Sequence, residues 1–291
     1  MISEPMLLKN KSISPALAIF TIITILPLLL GFIYSLLNTF GLAGIIHEGF
    51  TTKYWQQIFQ SGELTGSLFY SLLLTVVIIF LCCSTSLWLS INLRSKINSG
   101  TTSYFFYMPL ALPFIVAAFI TFQLLGKSGF FSRILYALQL ISDPNQFPDL
   151  INDSFGFGIL ITHTIIGTAF FALLFGNIFK SERLGELAVL AKTLGASNSV
   201  IIKKIFIPAI LRKAFPSILL YAIFILGSYE IPLLLGTQQH LMISVLIAQK
   251  FQRYNLQDIP VAYLLSVIYT VFVIIVLLVL YKKNKLIHET H

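Results

Sequence analysis

Leu184-Gly-Glu-Leu-Ala-Val-Leu-Ala-Lys-Thr-Leu-Gly-Ala-Ser197, running on into Asn198-Ser-Val-Ile-Ile-Lys-Lys-Ile-Phe-Ile-Pro208, is polar enough to sit in water, yet long apolar blocks flank it on both sides. Leu187, Leu190, Ala191 and Leu194 recur at i, i+3, i+4 and i+7, the stripe of an amphipathic helix whose apolar face needs a partner surface. Gly195 breaks that helix, and Ser197 and Asn198 supply N-cap side chains. Ile201, Ile202 and Ile205 then carry a second apolar face as far as Pro208, which interrupts the backbone ladder. The spacing predicts a helix, a turn and a second helix. A hairpin of this kind between membrane spans is either a docking element or an interfacial helix lying on lipid beside the nearby lysines.

The flanking blocks set the class of protein. Of 291 residues, 57% are hydrophobic and 10% charged, and the mean hydropathy is +0.89, far outside the range of a soluble domain. Apolar blocks fall at about 14–36, 66–91, 104–126, 157–179, 214–236 and 260–281, each close to the ~20 residues a spanning helix needs. The expected fold is therefore an all-α integral membrane protein, one transmembrane domain over 1–291 with six spans. The first block follows Lys9 and Lys11, but it is longer than a signal core and no cleavage site follows, so it reads as a retained span.

A formal charge of +8 is explained by topology and not by nucleic acid, which would require a clustered basic surface on a soluble fold. With the N-terminus in the cytoplasm, Lys9, Lys11, Arg94, Lys96, the 180–213 loop and the tail share one side, which holds 14 of the 19 Lys and Arg residues. The other side holds Lys53, Lys127, Arg133, Lys250 and Arg253, so the positive-inside rule places both termini and the hairpin in the cytoplasm. Adjacent Cys82 and Cys83 in an apolar run read as packing residues, neither a disulfide framework nor a metal site.

Ala191, Gly195, Ile205 and Pro208 fall where the cytoplasmic loop of ABC-type importer permeases carries its Glu-Ala-Ala, Gly, Ile-x-Leu-Pro signature, and the chain resembles a permease of that family. It departs from the signature at Val189 and Leu190, which stand where the family has glutamate and the first alanine. Glu186, one helical turn earlier, offers a carboxylate on a similar face. The pair Pro109 and Pro113, continuing to Gly126 and Gly129, and the run Glu230-Ile-Pro-Leu-Leu-Leu-Gly236 resemble the corresponding spans of the polyamine, ferric iron and thiamine importer group.

The resemblance implies a type I importer permease fold, like the methionine and maltose permeases, in the bacterial inner membrane. The coupling loop, 180–213, would contact the ATPase through Glu186, Val189, Leu190, Ala191, Leu194, Gly195, Ala196, Ile205 and Pro208. Two cytoplasmic ATP-binding subunits would hold the ATP and Mg, and an extracytoplasmic binding protein would deliver a polyamine, ferric iron, thiamine or phosphonate-like solute. A second permease would complete the path, and a heterodimer is favoured: a homodimer would lack the glutamate at both docks and bring two Glu230 carboxylates together.

Within the spans, Glu230 is the one acidic residue and His163 the one histidine. Glu230 follows Gly227, Ser228 and Tyr229 and precedes Pro232. It suits either the permeation path or an outer interface, where it would be paired or protonated. His163 suits a proton relay or a hydrogen bond to a neighbouring helix. Pro109 and Pro113 free backbone carbonyls that need buried or cavity-facing surroundings. Together with Tyr229 and Pro232 these are the candidate path residues.

Three loops are expected on the outer side. Residues 37–65 place Tyr54 and Trp55 at the headgroups, and 127–156 form a short surface helix followed by solvated Asp143, Asp149 and Asp153, which lack a compact metal-loop spacing. Residues 237–259 read as a surface helix available to a soluble partner. No phosphate-binding Gly-x-x-x-x-Gly-Lys-Ser/Thr motif, zinc cluster or nucleophile–base constellation occurs, so the chain reads as a transport subunit and not an enzyme. The competing class is an ion-coupled secondary transporter using Glu230 and His163. Interrupted helices fit that class, but its inverted repeats are not evident here.

Overall fold

The computed structural model describes residues 15–45, 49–93 and 101–289. Lys9, Lys11, Arg94 and Lys96, which helped to set the expected orientation, lie outside the described residues. Most of the described residues are helical, and none of them is in a strand. In chain order the helices are α1 Pro15–Thr39, α2 Lys53–Ser61, α3 Glu63–Asn92, α4 Thr101–Ala111, α5 Phe114–Leu125, α6 Phe130–Ala137, α7 Phe157–Ser181, α8 Leu184–Thr193, α9 Asn198–Ile201, α10 Ile207–Leu226, α11 Glu230–Leu235, α12 Ile243–Gln252 and α13 Asp258–Glu289. Six stretches are long and apolar enough to cross a membrane.

The centre of the bundle is α7, which packs on α3, α4, α5 and α10. Its Ile159, Phe171 and Phe175 are fully buried. Small residues let α3 approach closely, and hydroxyls bond across the contact: Ser86 Oγ donates to the Thr168 carbonyl at 3.0 Å and Ser90 Oγ to that of Ala172 at 3.2 Å, while Thr85 and Thr168 hydroxyls lie 2.8 Å apart. Cys82 is buried in the same seam. By contrast α1 packs chiefly on α13 and exposes most of its length, as a helix facing lipid or another subunit would.

The third crossing is broken. Pro113 caps α5 after α4 ends at Ala111, and both halves lie along α7. The fifth differs from expectation in a more telling way. The second helix of the hairpin does not stop at Pro208: residues Asn198–Leu226 form one 29-residue helix. A π turn at Ile202–Phe206 makes this possible, with the Ile207 N–H bonding the Ile202 carbonyl. The widened turn relieves the clash between a proline ring and the carbonyl four residues back, so Pro208 is absorbed and not terminal.

Two of the outer-loop expectations also need correction. Tyr54, on α2, is fully buried against α3 and α13 instead of lying at the headgroups, and Trp55 stacks between Phe40 and Phe59. The helix expected between 237 and 259 is present as α12, but Ile243, Val245 and Leu246 are buried against α3 and α13 and not offered to a partner. In the remaining loop the expected short helix is present: α6 exposes Phe130 and Phe131, and Leu138 just after it is exposed too.

Candidate functional site

The hairpin is rooted on both strands of its base. Glu182, just after α7, pairs with Lys213 of α10 at 3.0 Å. Arg183 turns the chain with φ +48°, and α8 begins at Leu184. Leu184 and Ala188 point inward, into the cluster that contains Phe179 and Phe206, whose rings meet edge to face at 5.0 Å. Ala191, Ala196 and Ile205 are half-buried against the same cluster. The inner face of α8 is thus Leu184, Ala188 and Ala191, so Ala191 does not share the outer stripe as its spacing suggested.

The outer face carries Leu187, Val189, Leu190 and Leu194, with Leu190 60% and Leu194 88% exposed. Three exposed apolar side chains on one short helix, with Leu194 at its C-cap, form a surface in want of a partner. Glu186 is exposed beside them, 4.0 Å from Arg183, and Pro208 is exposed on the second helix. The helix ends in a Schellman motif: Ala196 N–H donates to the Ala191 carbonyl and Gly195 N–H to that of Lys192, both at 2.9 Å. Gly195 takes φ +81°, and a Cβ there would meet nothing within 4 Å, so backbone conformation alone demands the glycine.

The candidate path residues gather at a second place, where α10 gives way to α11 at Gly227–Tyr229. His163 of α7 is fully buried, with Nδ1 3.1 Å from the Ile159 carbonyl and Nε2 3.1 Å from Ser228 Oγ. A carbonyl can only accept, so Nδ1 donates to Ile159, and Nε2 and the Ser228 hydroxyl share the second bond. The Ser228 carbonyl in turn accepts from Ser244 Oγ, and the Ile243 N–H at the start of α12 donates to Ser71 Oγ of α3 at 2.9 Å. The Ser228 carbonyl at the break and the Ile243 N–H at the start of α12 thus each find a partner inside the protein, as a membrane interior requires.

Pro232 is buried beside this network, Tyr229 is half-buried, and Glu230, the first residue of α11, is exposed. Pro113 opens α5, which packs on α11, and Phe114 and Phe224 meet at 4.9 Å, so the broken third and fifth crossings are neighbours. Pro109 stands apart: with Phe105, Phe106 and Ile165 it lines an apolar groove of about 540 Å³ between α3, α4 and α7. Among the described residues no hydrogen bond or ion pair joins His163 to Glu230. Of the network serines the sequence reading names Ser228 but not Ser71 or Ser244; for Ser71 the spacing of Ser67, Ser71 and Thr75 by four in an apolar run was the available signal.

The loop aspartates have local duties. Asp143 accepts from the Asn145 N–H, Asp149 pairs with Lys127 at 2.9 Å, and Asp153 caps α7 by accepting from the Phe155 and Phe157 N–H groups at 2.9 Å. Among the described residues there is no group of three or more His, Cys, Asp or Glu side chains able to hold a metal ion.

Residues 83–284 match the family described as binding-protein-dependent transport system inner membrane component. No curated protein matches the chain. Among solved structures, a chain of a bacterial ABC transporter involved in the import of the acidic polysaccharide alginate is similar in fold, with a TM-score of 0.68 over 93% of each chain at 15% identity. The match takes in the hairpin, the broken third and fifth crossings and the central α7, and this chain belongs to the binding-protein-dependent transport system inner membrane component family, the multi-pass permease subunits of ABC importers.

Proposed function

We propose that the outer face of α8 is the dock for a cytoplasmic ATP-binding subunit, and that α9–α10 relays movement of that subunit into the permeation path. One observation carries the reading: Leu187, Val189, Leu190 and Leu194 stand exposed on a helix whose opposite face is packed into the core. The dock works by shape and apolar contact, since Val189 occupies the family's glutamate position and Glu186 lies on exposed surface nearby. Past the Gly195 turn, the continuous helix 198–226 leads to the break at Gly227, so displacement of the hairpin is passed along one helix to Ser228 and, across the break, to Glu230.

In this reading the hairpin end and both termini are cytoplasmic, two ATP-binding subunits carry the ATP and Mg, and an extracytoplasmic binding protein supplies a small solute of the polyamine, ferric iron, thiamine or phosphonate-like kind. The second permease is a different chain. Exposed Glu230 supports a heterodimer, because a copy of the same chain would set two like charges towards one path.

Proteoliposomes holding the full complex should accumulate solute when ATP is supplied, and should continue to do so after the proton gradient is collapsed. The chain reconstituted alone should be inert. Accumulation by the chain alone, driven by a proton gradient, would replace this reading with an ion-coupled carrier.

Gly195 gives a second check. Gly195→Leu places a β-carbon in left-handed backbone at a cost of about 1–2 kcal/mol, and the relaxed chain re-aims α8. ATP hydrolysis by the assembled complex should then lose its stimulation by solute while the bundle stays folded. Wild-type stimulation in this variant would show that the angle of the hairpin is immaterial.

A further inference from the structure

Between the start of α3, the 236–242 loop and α12 lies a polar cavity of about 410 Å³, at the end of the bundle away from the hairpin and within the size range of small-molecule sites. Two ion pairs border it, and each turns one arm to the cavity. Lys250 Nζ holds Glu63 at 2.7 Å, and the lysine side chain is only 7% exposed whereas the glutamate is 43% exposed. Asp258, its side chain 11% exposed, lies 3.7 Å from Arg253, whose side chain is 51% exposed. The hidden partner in each pair neighbours the open one, so the cavity presents one carboxylate, held at 2.7 Å by Lys250, and one guanidinium beside Asp258.

The groups between them are amphiprotic. Gln249 Nε2 donates to Gln238 Oε1 at 3.1 Å, which leaves the amide hydrogens of Gln238 and the carbonyl oxygen of Gln249 available, and Gln239 and His240 also line the space. Glycines face the same cavity: a Cβ at Gly62 or Gly66 would meet nothing within 4 Å. We propose that this cavity binds a small zwitterion, its cationic nitrogen against Glu63 and its oxyanion against Arg253. Bound so, the ligand completes an alternating row of charge, Lys250, Glu63, ligand nitrogen, ligand oxyanion, Arg253, Asp258. A simple polycation would meet the guanidinium and a simple anion the carboxylate, so each loses on one wall what it gains on the other.

Binding at this cavity is a property of the chain itself, and only its use as a way station in transport rests on the importer reading. The test is calorimetric titration of the full chain in lipid nanodiscs with aminoethylphosphonate, methylphosphonate and putrescine. Aminoethylphosphonate should bind about tenfold or more tightly than either of the others. Arg253→Gln should weaken it about tenfold and Glu63→Gln should narrow its advantage over methylphosphonate. Gly66→Leu, in open space, should fill the cavity and abolish binding with an unchanged melting temperature. Absence of binding to the wild-type chain, equal affinity for the three probes, or full affinity in Gly66→Leu would each overturn the proposal. Binding without ATP-driven uptake by the complex would remove the transport role and leave the site, whereas ATP-driven uptake of another solute with no binding here would remove the site and leave the importer.

Discussion

Gly167→Leu is expected to prevent the bundle from assembling, and Gly167→Ala to destabilise it by about 1–3 kcal/mol, the usual cost of overpacking a tight core. Gly167 lies midway along α7 where α3 and α10 converge. A Cβ built there would stand 2.5 Å from Cys82 Sγ and 2.9 Å from the Tyr221 hydroxyl oxygen, closer than real β-carbons come to any atom. Tyr221 has little room to retreat: its ring stacks on Phe170 at 5.7 Å and meets Phe171 edge-on at 5.2 Å. The thermal stability of the detergent-solubilised chain measures the effect, and Cys82→Ala in the Gly167→Ala background should recover part of the loss. Wild-type stability of Gly167→Leu would mean that the α3–α7–α10 contact is not the close one described.

Leu190→Asp should abolish attachment of the ATP-binding subunit while leaving the permease folded. At 60% exposure Leu190 contributes little to the core, so substitution should change the chain's own stability by about 0.5 kcal/mol or less. In the docked complex the same position becomes an unpaired carboxylate in an apolar contact, a penalty of about 3 kcal/mol or more, roughly a hundredfold or greater loss in affinity. Co-purification and Kd measurement with the ATP-binding subunit separate the two effects. Intact affinity would move the dock away from this face of α8.

Much of this architecture was legible because a bilayer leaves few options. Long apolar runs must be helices, and they gave the number of long apolar helices, six, though not where the third and fifth are broken. The hairpin was legible from the period of Leu187, Leu190 and Leu194 and from Gly195, whose left-handed φ only glycine adopts without cost. Pro208 misled because proline is read as a helix terminator, while the π turn that accommodates it has no sequence signature. The burial of Lys250 was not legible either. A lysine near a span end reads as solvated, and its burial depends on Glu63, far off in the chain.

The candidate path was legible only in part. Periodicity found the apolar face of α12 but could not say that α3 and α13 cover it. Composition marked His163 and Glu230 as costly in a membrane, yet it could not separate them. The fold buries the first in hydrogen bonds to Ile159 and Ser228 and leaves the second exposed at the start of α11. The outcome depends on where the fifth crossing breaks, and the apolar block 214–236 runs through that place, Gly227–Tyr229, without marking it.

The central claim, that the outer face of α8 is the dock, is open to one direct measurement. The native cysteines are favourable: Cys82 is buried and Cys83 half-buried, so Leu190→Cys in a Cys83→Ala background puts a single accessible thiol on that face. Its rate of reaction with a maleimide should fall sharply when the ATP-binding subunit is added and recover when that subunit is stripped away. An unchanged rate with the subunit demonstrably bound would place the dock elsewhere and contradict the account.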